Sequence, residues 1–493
     1  MNTAENTRSF SPGRRDTLRK IAAGAAGLTV VSSGVVSCSG KSLPILRSPA
    51  KAQPLKAGFA RFAVTPPLGT PMTGFGDRDY DPSGCKGIHD DLHANALYLS
   101  QGDCDVLIMG FDLLFFSRDE ADRFKGAIGR VIDLAPVNIL LNTSHTHTGP
   151  KVGTWYYTPS DPLYLHFLEE AIVRAAKGAR DSLREVTVLA GKGRTKVPVS
   201  RRRKLPNGTI EFAPDPEGTV CDTLPVCLFR DLQGKPVCML FSVSCHPSTV
   251  KGVDRSFWIS ADYPGAAMGY LDKHLGAEVS MFLQGAGGDS KPSVIAGEGF
   301  WRAGAWGDVD EAGKMVYGDA VTVMEKQGIR TIEPNLTTAQ VEMQWALKEP
   351  LSRSEYEDIV KNPKAHSESM PEVMQTWAKE QIAKLDRGYT LKSSVPITAH
   401  GIHIGNGLRL VGIEGELVAE LGLQIERFYT DGVTFAMGYS DGAQMYLPTT
   451  AMLAEGGYEV ESYWEYRQPA PLAGGHEKIL DTTLAKLFNE GIK

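Results

Sequence analysis

The sequence predicts a mixed α/β domain in which layered β-sheets are flanked by helices. Three observations carry that expectation. Continuous apolar runs at 106–116 (VLIMGFDLLFF) and 137–142 (VNILLN) have the length and character of strands buried on both faces. Amphipathic stretches with helical spacing, such as 163–183, alternate with those runs. Beyond residue 56 no linker, low-complexity tract or internal repeat divides the chain. Residues 57–493 therefore read as one large domain, although 493 residues at about 150 per domain would suggest three.

The elements are justified in order. Residues 1–20 carry Arg8, Arg14, Arg15, Arg19 and Lys20 against Glu5 and Asp16, and 21–37 hold no charge. A basic start followed by a short apolar run of small residues is an export signal, and Arg14-Arg15 marks it as twin-arginine in type. The run ends in Val35-Val36-Ser37-Cys38, similar to a bacterial lipobox, so Cys38 is the expected lipidated residue and membrane tether. Residues 38–56 read as that tether, and the protein is expected to work in the periplasm or at the cell surface.

Ser117 followed by Asp119 and Glu120 is an N-cap with an acidic first turn, opening a helix to about residue 133. The runs LPVCLFR and PVCMLFSVSC are strands joined around Asp231–Lys235. Further helices are expected at 262–275, 308–326, 372–385, 416–429 and 476–489. Arg201–Lys204 reads first as a solvated loop. A net charge of -6 with no basic stripe argues against a nucleic-acid partner. The seven cysteines contain no C-x-x-C pair; Cys221, Cys227, Cys238 and Cys245 fit disulfides and buried thiols equally well.

Chemistry gathers at strand ends. Asn142-Thr143-Ser144-His145-Thr146-His147-Thr148-Gly149-Pro150 directly follows a buried strand. In extended chain, residues two apart share a side, so His145 and His147 project together, able to share a metal or to divide metal and substrate between them. His246 closes another apolar strand, where a hydrogen-bonded structural histidine is the plainer reading. Gln284–Pro292 is a Gly-rich loop that permits close backbone approach but lacks P-loop spacing. Glu414 and Glu416 lie at a strand-to-helix junction, where the helix dipole alone would favour a carboxylate.

Taken in order, these segments resemble the neutral/alkaline non-lysosomal ceramidase family. The resemblance runs from Ala57–Pro66 through Gly74-Phe75-Gly76, Gly87–Ala96 and Ser144–Pro150 to Gly415-Glu416-Leu417, Tyr446–Thr450 and Gly457-Tyr458-Glu459. It implies one Zn2+ held by His145, His246, Glu416 and Tyr446, with His147 facing the substrate carbonyl or the water and Arg201 contacting substrate, Arg202 staying open beside it. Tyr458 is then a substrate-binding residue. The implied reaction is hydrolysis of an N-acyl amide, of ceramide or a related lipid, by zinc-activated water. One departure matters: where the family has "G-D-x-S-P-N", this chain has Gly288-Asp289-Ser290-Lys291-Pro292-Ser293, so Lys291 occupies the serine position and Ser290 comes one place early. Other readings are the same zinc site acting on an ester or a non-lipid amide, and a binding protein without turnover.

Overall fold

Two β-sheets lie face to face and helices cover their outer sides. The computed structural model describes residues 53–493 apart from 80, 82, 154–158, 253, 254 and 327. The export segment, Cys38 and most of the tether lie outside the described residues. Gln53–Lys493 form one unit.

In the larger sheet the strand order is Ser280–Gln284, Pro236–Val243, Thr223–Asp231, Arg184–Arg194, Lys56–Ala63, His93–Gln101, Cys104–Phe111 and Ile139–Thr143. A short strand, Arg330–Ile332, pairs with Arg184–Arg194. Neighbours are antiparallel except at the two ends, where Cys104–Phe111 runs parallel to Ile139–Thr143 and Pro236–Val243 parallel to Ser280–Gln284. A parallel pair needs a crossover rather than a hairpin. Helices Arg118–Ile132 and Asp262–Leu275 supply those two crossovers. The second sheet orders Pro334–Ala346, Ser394–Gly405, Leu408–Ile413 and Val433–Met437, its last pair parallel through helix Ala419–Phe428.

Burial on both faces explains the unbroken apolar runs. Ile108, Leu140, Leu240 and Leu283 point inward and meet Ile402, Leu410, Phe435 and Met437 of the second sheet. Their sequence neighbours Leu107 and Met109 point outward onto Phe124, Ile128 and Ile172 of helices Arg118–Ile132 and Pro162–Asp181. Phe241 and Phe282 likewise meet Leu271 and Val316 of Asp262–Leu275 and Trp306–Glu325. Ile397 and Ile413 meet Leu421 and Leu484 of Ala419–Phe428 and His476–Asn489. The result is helix, sheet, sheet, helix, the layered α/β fold expected.

Local signals place most boundaries. Ser117 Oγ accepts a hydrogen bond from the Glu120 amide, and the Glu120 carboxylate accepts one from the Ser117 amide, closing a capping box. Three expectations are corrected. The strand predicted over 106–116 stops at Phe111, because its parallel partner ends at Thr143 and Asp112–Phe116 turn away as a loop. The helix predicted from 416 begins at Ala419; Glu416-Leu417 instead pair with Tyr446-Leu447 as a two-residue strand. Arg201–Lys204 are no solvated loop but belong to strand Pro198–Lys204, with Arg201 and Arg202 buried. The six described cysteines are free thiols, five of them buried.

The inner layer also holds a pH-sensitive group. His403 Nδ1 accepts the Lys493 amide at 3.0 Å, and burial, aided by Arg409, pushes its pKa from 6.5 down to about 4. A pKa lowered on folding means that the unfolded chain binds the proton more tightly, so stability falls as pH drops. The loss accrues between pH 6.5 and about 4. Thermal melts at pH 7.5 and 4.5 should show a larger drop for wild type than for His403→Gln; equal drops would show that His403 stays out of the acid response.

Candidate metal centre

The three parallel strand pairs of the two large sheets direct their carboxyl ends to one place. In open α/β sheets that is where ligands bind, because loops there are free of ladder duties while their roots are held rigidly. Asn142 ties the ends together. Its side-chain oxygen accepts the Gln284 amide at 2.7 Å and its Nδ2 donates to the Gly438 carbonyl at 2.9 Å. The loops after Thr143, Val243, Gln284, Ile413 and Met437 thereby converge.

His145 stands two residues past the strand end at Thr143 and adopts φ 66°, left-handed backbone that a β-carbon disfavours. Tyr439 (φ 50°) and Asp441 (φ 60°) do the same on the facing loop. Such backbone persists only where surrounding bonds over-determine it, and here it aims side chains. His145 Nδ1 donates to the Leu114 carbonyl at 2.9 Å, and His246 Nδ1 to the Gly287 carbonyl at 2.6 Å. His147 Nδ1 donates to the Gly74 carbonyl. Each bond fixes the tautomer and leaves the Nε2 lone pair free. Burial lowers the pKa of all three, His147 and His246 well below the ordinary value, so the imidazoles are neutral.

The free nitrogens meet. His145 Nε2 and His147 Nε2 are 3.2 Å apart, and one ligand atom from each of His145, His147 and His246 lies within 4.8 Å of the others. Glu416 Oε2 stands 3.4 Å from both His145 Nε2 and His246 Nε2. This buried carboxylate accepts hydroxyls from Tyr439 and Tyr466, and among the described residues no Lys or Arg reaches it. Three neutral imidazoles and one carboxylate without a cation form a donor set of the kind that suits zinc.

Tyr446 OH lies 3.3 Å from His246 Nε2 and accepts from Arg201 NH2 at 3.0 Å. Arg201 also donates from Nε to Glu459 at 2.7 Å, and the ring of Tyr458 lies 5.5 Å from its guanidinium. Arg202 turns to the other oxygen of Glu459 and to the Gly456 carbonyl. Of the two arginines, only Arg201 lines the cavity of about 780 Å³ that opens over the centre. His147, Lys291, Tyr446 and Tyr458 line it as well.

Strand alternation separates Ser290 from Lys291. In Ser290–Pro292, paired with Pro198–Ser200, Ser290 is sealed inside and donates to the Ser244 carbonyl at 2.8 Å. Lys291 faces the cavity and donates to Ser248 Oγ at 2.8 Å. Ser290→Ala should therefore cost about 1 kcal/mol of stability through an orphaned carbonyl and change turnover less than Lys291→Ala does. Urea unfolding beside kinetics of both variants checks this; a greater rate loss for Ser290→Ala would reverse the assignment.

The Gly-rich loop works differently from its sequence reading. Its glycines admit other backbone, not a ligand: a β-carbon on Gly287 would sit 2.5 Å from the Cys245 nitrogen, and one on Gly288 2.8 Å from the Glu416 carbonyl. Glu416 points into the centre instead of capping a helix. Sequence reasoning missed Tyr439, Tyr466, Ser248 and Glu459. Tyr439, two residues past an apolar strand like His145, carried the one signal that could have found it. The segment around His89 and Asp90 lies elsewhere, lining a larger cavity of about 980 Å³ that contains none of the converging groups.

No family model matches this chain, and no curated protein does. Solved structures match. A ceramidase complexed with C2 superposes with a TM-score of 0.67 at 15% identity, covering 90% of this chain and 76% of that one. The neutral ceramidase from Pseudomonas aeruginosa gives 0.65 at 16% identity, covering 89% and 75%. The chain has the fold of these enzymes.

Proposed function

We propose that this protein is a zinc-dependent amide hydrolase, with the ion held by His145, His246, Glu416 and Tyr446. The observation that carries the reading is the convergence of neutral imidazole nitrogens on a buried carboxylate that lacks a cationic partner. The fold shared with two ceramidases supports an N-acyl bond as the target. A bound zinc supplies Lewis acidity, polarising a carbonyl and acidifying water.

The chain's own residues do the rest. Arg201, which donates to the Tyr446 hydroxyl, sets its positive charge beside the centre, where an amide oxygen gains charge as its carbon turns tetrahedral. His147, neutral with Nε2 free, can take a proton from the attacking water and return it to the leaving amine. Tyr439 and Tyr466 hold Glu416 in place. Phe75, whose ring centroid lies 5.0 Å from that of His147, screens the imidazole from water.

Purified protein should contain about one zinc per chain and hydrolyse members of a panel of short-chain ceramide and simpler N-acyl amides, with esters as the comparison. Zinc at full occupancy without turnover of any amide or ester would reduce the protein to a binding role. The export reading belongs to the same proposal: no helix among the described residues is long and apolar enough to cross a membrane, and attachment would fall to Cys38. Labelled lipid should be incorporated by the wild type and not by Cys38→Ala; no incorporation by the wild type would end that part of the proposal.

A further inference from the structure

The cavity over the centre carries more positive charge than its carboxylates offset. Glu459 is shared between Arg201 and Arg202, and Glu455, which Arg202 also reaches, is shared with Lys204, so two carboxylates face three cations. Glu211, the acid on the cavity wall, is taken by Arg203. Lys291 and Lys251 remain, and among the described residues neither is paired with a carboxylate. Lys291 is 8% exposed, its ammonium on Ser248 Oγ at 2.8 Å and 5.8 Å from the Trp301 ring centroid. Lys251 sits at the rim, 5.5 Å from the Phe75 ring centroid. Aromatic walls thus carry cations at two heights.

A neutral lipid filling this cavity would strip water from the lysines and return no counter-charge, which is costly for a buried ammonium. An anion would accept charge-assisted hydrogen bonds from the same groups. We infer that the substrate of this site carries an anionic group, a carboxylate, sulfonate or phosphate, which Lys291 and Lys251 bind while the aromatic walls take its apolar part. The inference rests on the amide-hydrolase reading and names its substrate class. Burial and Arg201 press the Lys291 ammonium down to about 7, and a bound anion would restore its charge. Lys291 is then the specificity residue of the cavity, occupying the place where the resembled family has a neutral hydroxyl.

The test compares three octyl-scale amides on the zinc-loaded protein. N-octanoylglycine carries the anion on the amine half, the N-butyl monoamide of suberic acid carries it on the acyl half, and N-octanoylethanolamine is neutral. At least one anionic amide should exceed the neutral one in kcat/KM by about tenfold, the worth of one charge-assisted hydrogen bond. Lys291→Met should bring that ratio close to one, Lys291→Arg should keep most of it, and Lys251→Met should lower it less. If no amide is hydrolysed, calorimetric affinities of the same three compounds give the same ratio, so the hydrolase reading can fail without the charge preference failing. A neutral amide handled as well as both anionic ones, or a preference unmoved by Lys291→Met, overturns the inference.

Discussion

On the proposed zinc-hydrolase function, His246→Ala is expected to abolish zinc binding and lower amide hydrolysis by roughly a thousandfold, because the Lewis-acid term it would remove is worth several kcal/mol. His246 is fully buried, its Nδ1 is held by Gly287, and its Nε2 faces Glu416 Oε2 at 3.4 Å. Alanine leaves a gap that no neighbouring side chain can fill with a nitrogen. His145→Ala should act alike. Removing an outer partner should cost less: Tyr439→Phe takes one hydroxyl from Glu416 and should weaken metal affinity by about 10-fold to 100-fold. Metal content by mass spectrometry beside kinetics reads both effects. Full zinc content in the two histidine variants would refute the ligand set.

Asp441→Ala is expected to destabilise the fold by about 3–5 kcal/mol, the usual consequence of breaking a buried ion pair on one side. Asp441 Oδ1 accepts from Lys125 Nζ at 2.8 Å and from the Leu141 amide at 2.9 Å, while Oδ2 accepts from His400 Nδ1 at 2.8 Å. These bonds hold the carboxyl well below its ordinary pKa despite burial. They also join the strand that leads into His145 to the loop that carries Tyr439 and Tyr446. Loss of the carboxylate would leave the Lys125 ammonium unpaired in a dry site. Lys125→Met in the same chain should therefore recover part of the loss, as measured by urea unfolding. A loss under about 1 kcal/mol, the range of exposed pairs, would show the network to be hydrated.

Much of the fold was legible because local rules and burial agree. Asp262–Leu275 has its predicted limits, and Ser117 caps its helix as its spacing with Glu120 required. The unbroken apolar runs named strands buried on both faces, which two facing sheets with outer helices provide. Glu416 was less legible. A carboxylate just before a helix satisfies the dipole by rule, and only its pairing with Tyr446 in a two-residue parallel bridge turns it into the centre. Arg201 and Arg202 looked solvated because four basic residues in a row usually are. Glu459, more than 250 positions away, makes their burial possible.

From sequence alone came the layers, most helix limits, the pair His145 and His147 on one side of a strand end, and the family likeness that chose Glu416 and Tyr446. Those depend on contacts or alternation within a few residues, which order along the chain records. The tertiary structure decided which nitrogen of each histidine is free, which of Ser290 and Lys291 meets the cavity, and what holds Glu416. It also brought the two lysines to the same aromatic walls. Hydrogen-bond partners and desolvation settle these points, and both arise from strands hundreds of residues apart meeting at their carboxyl ends.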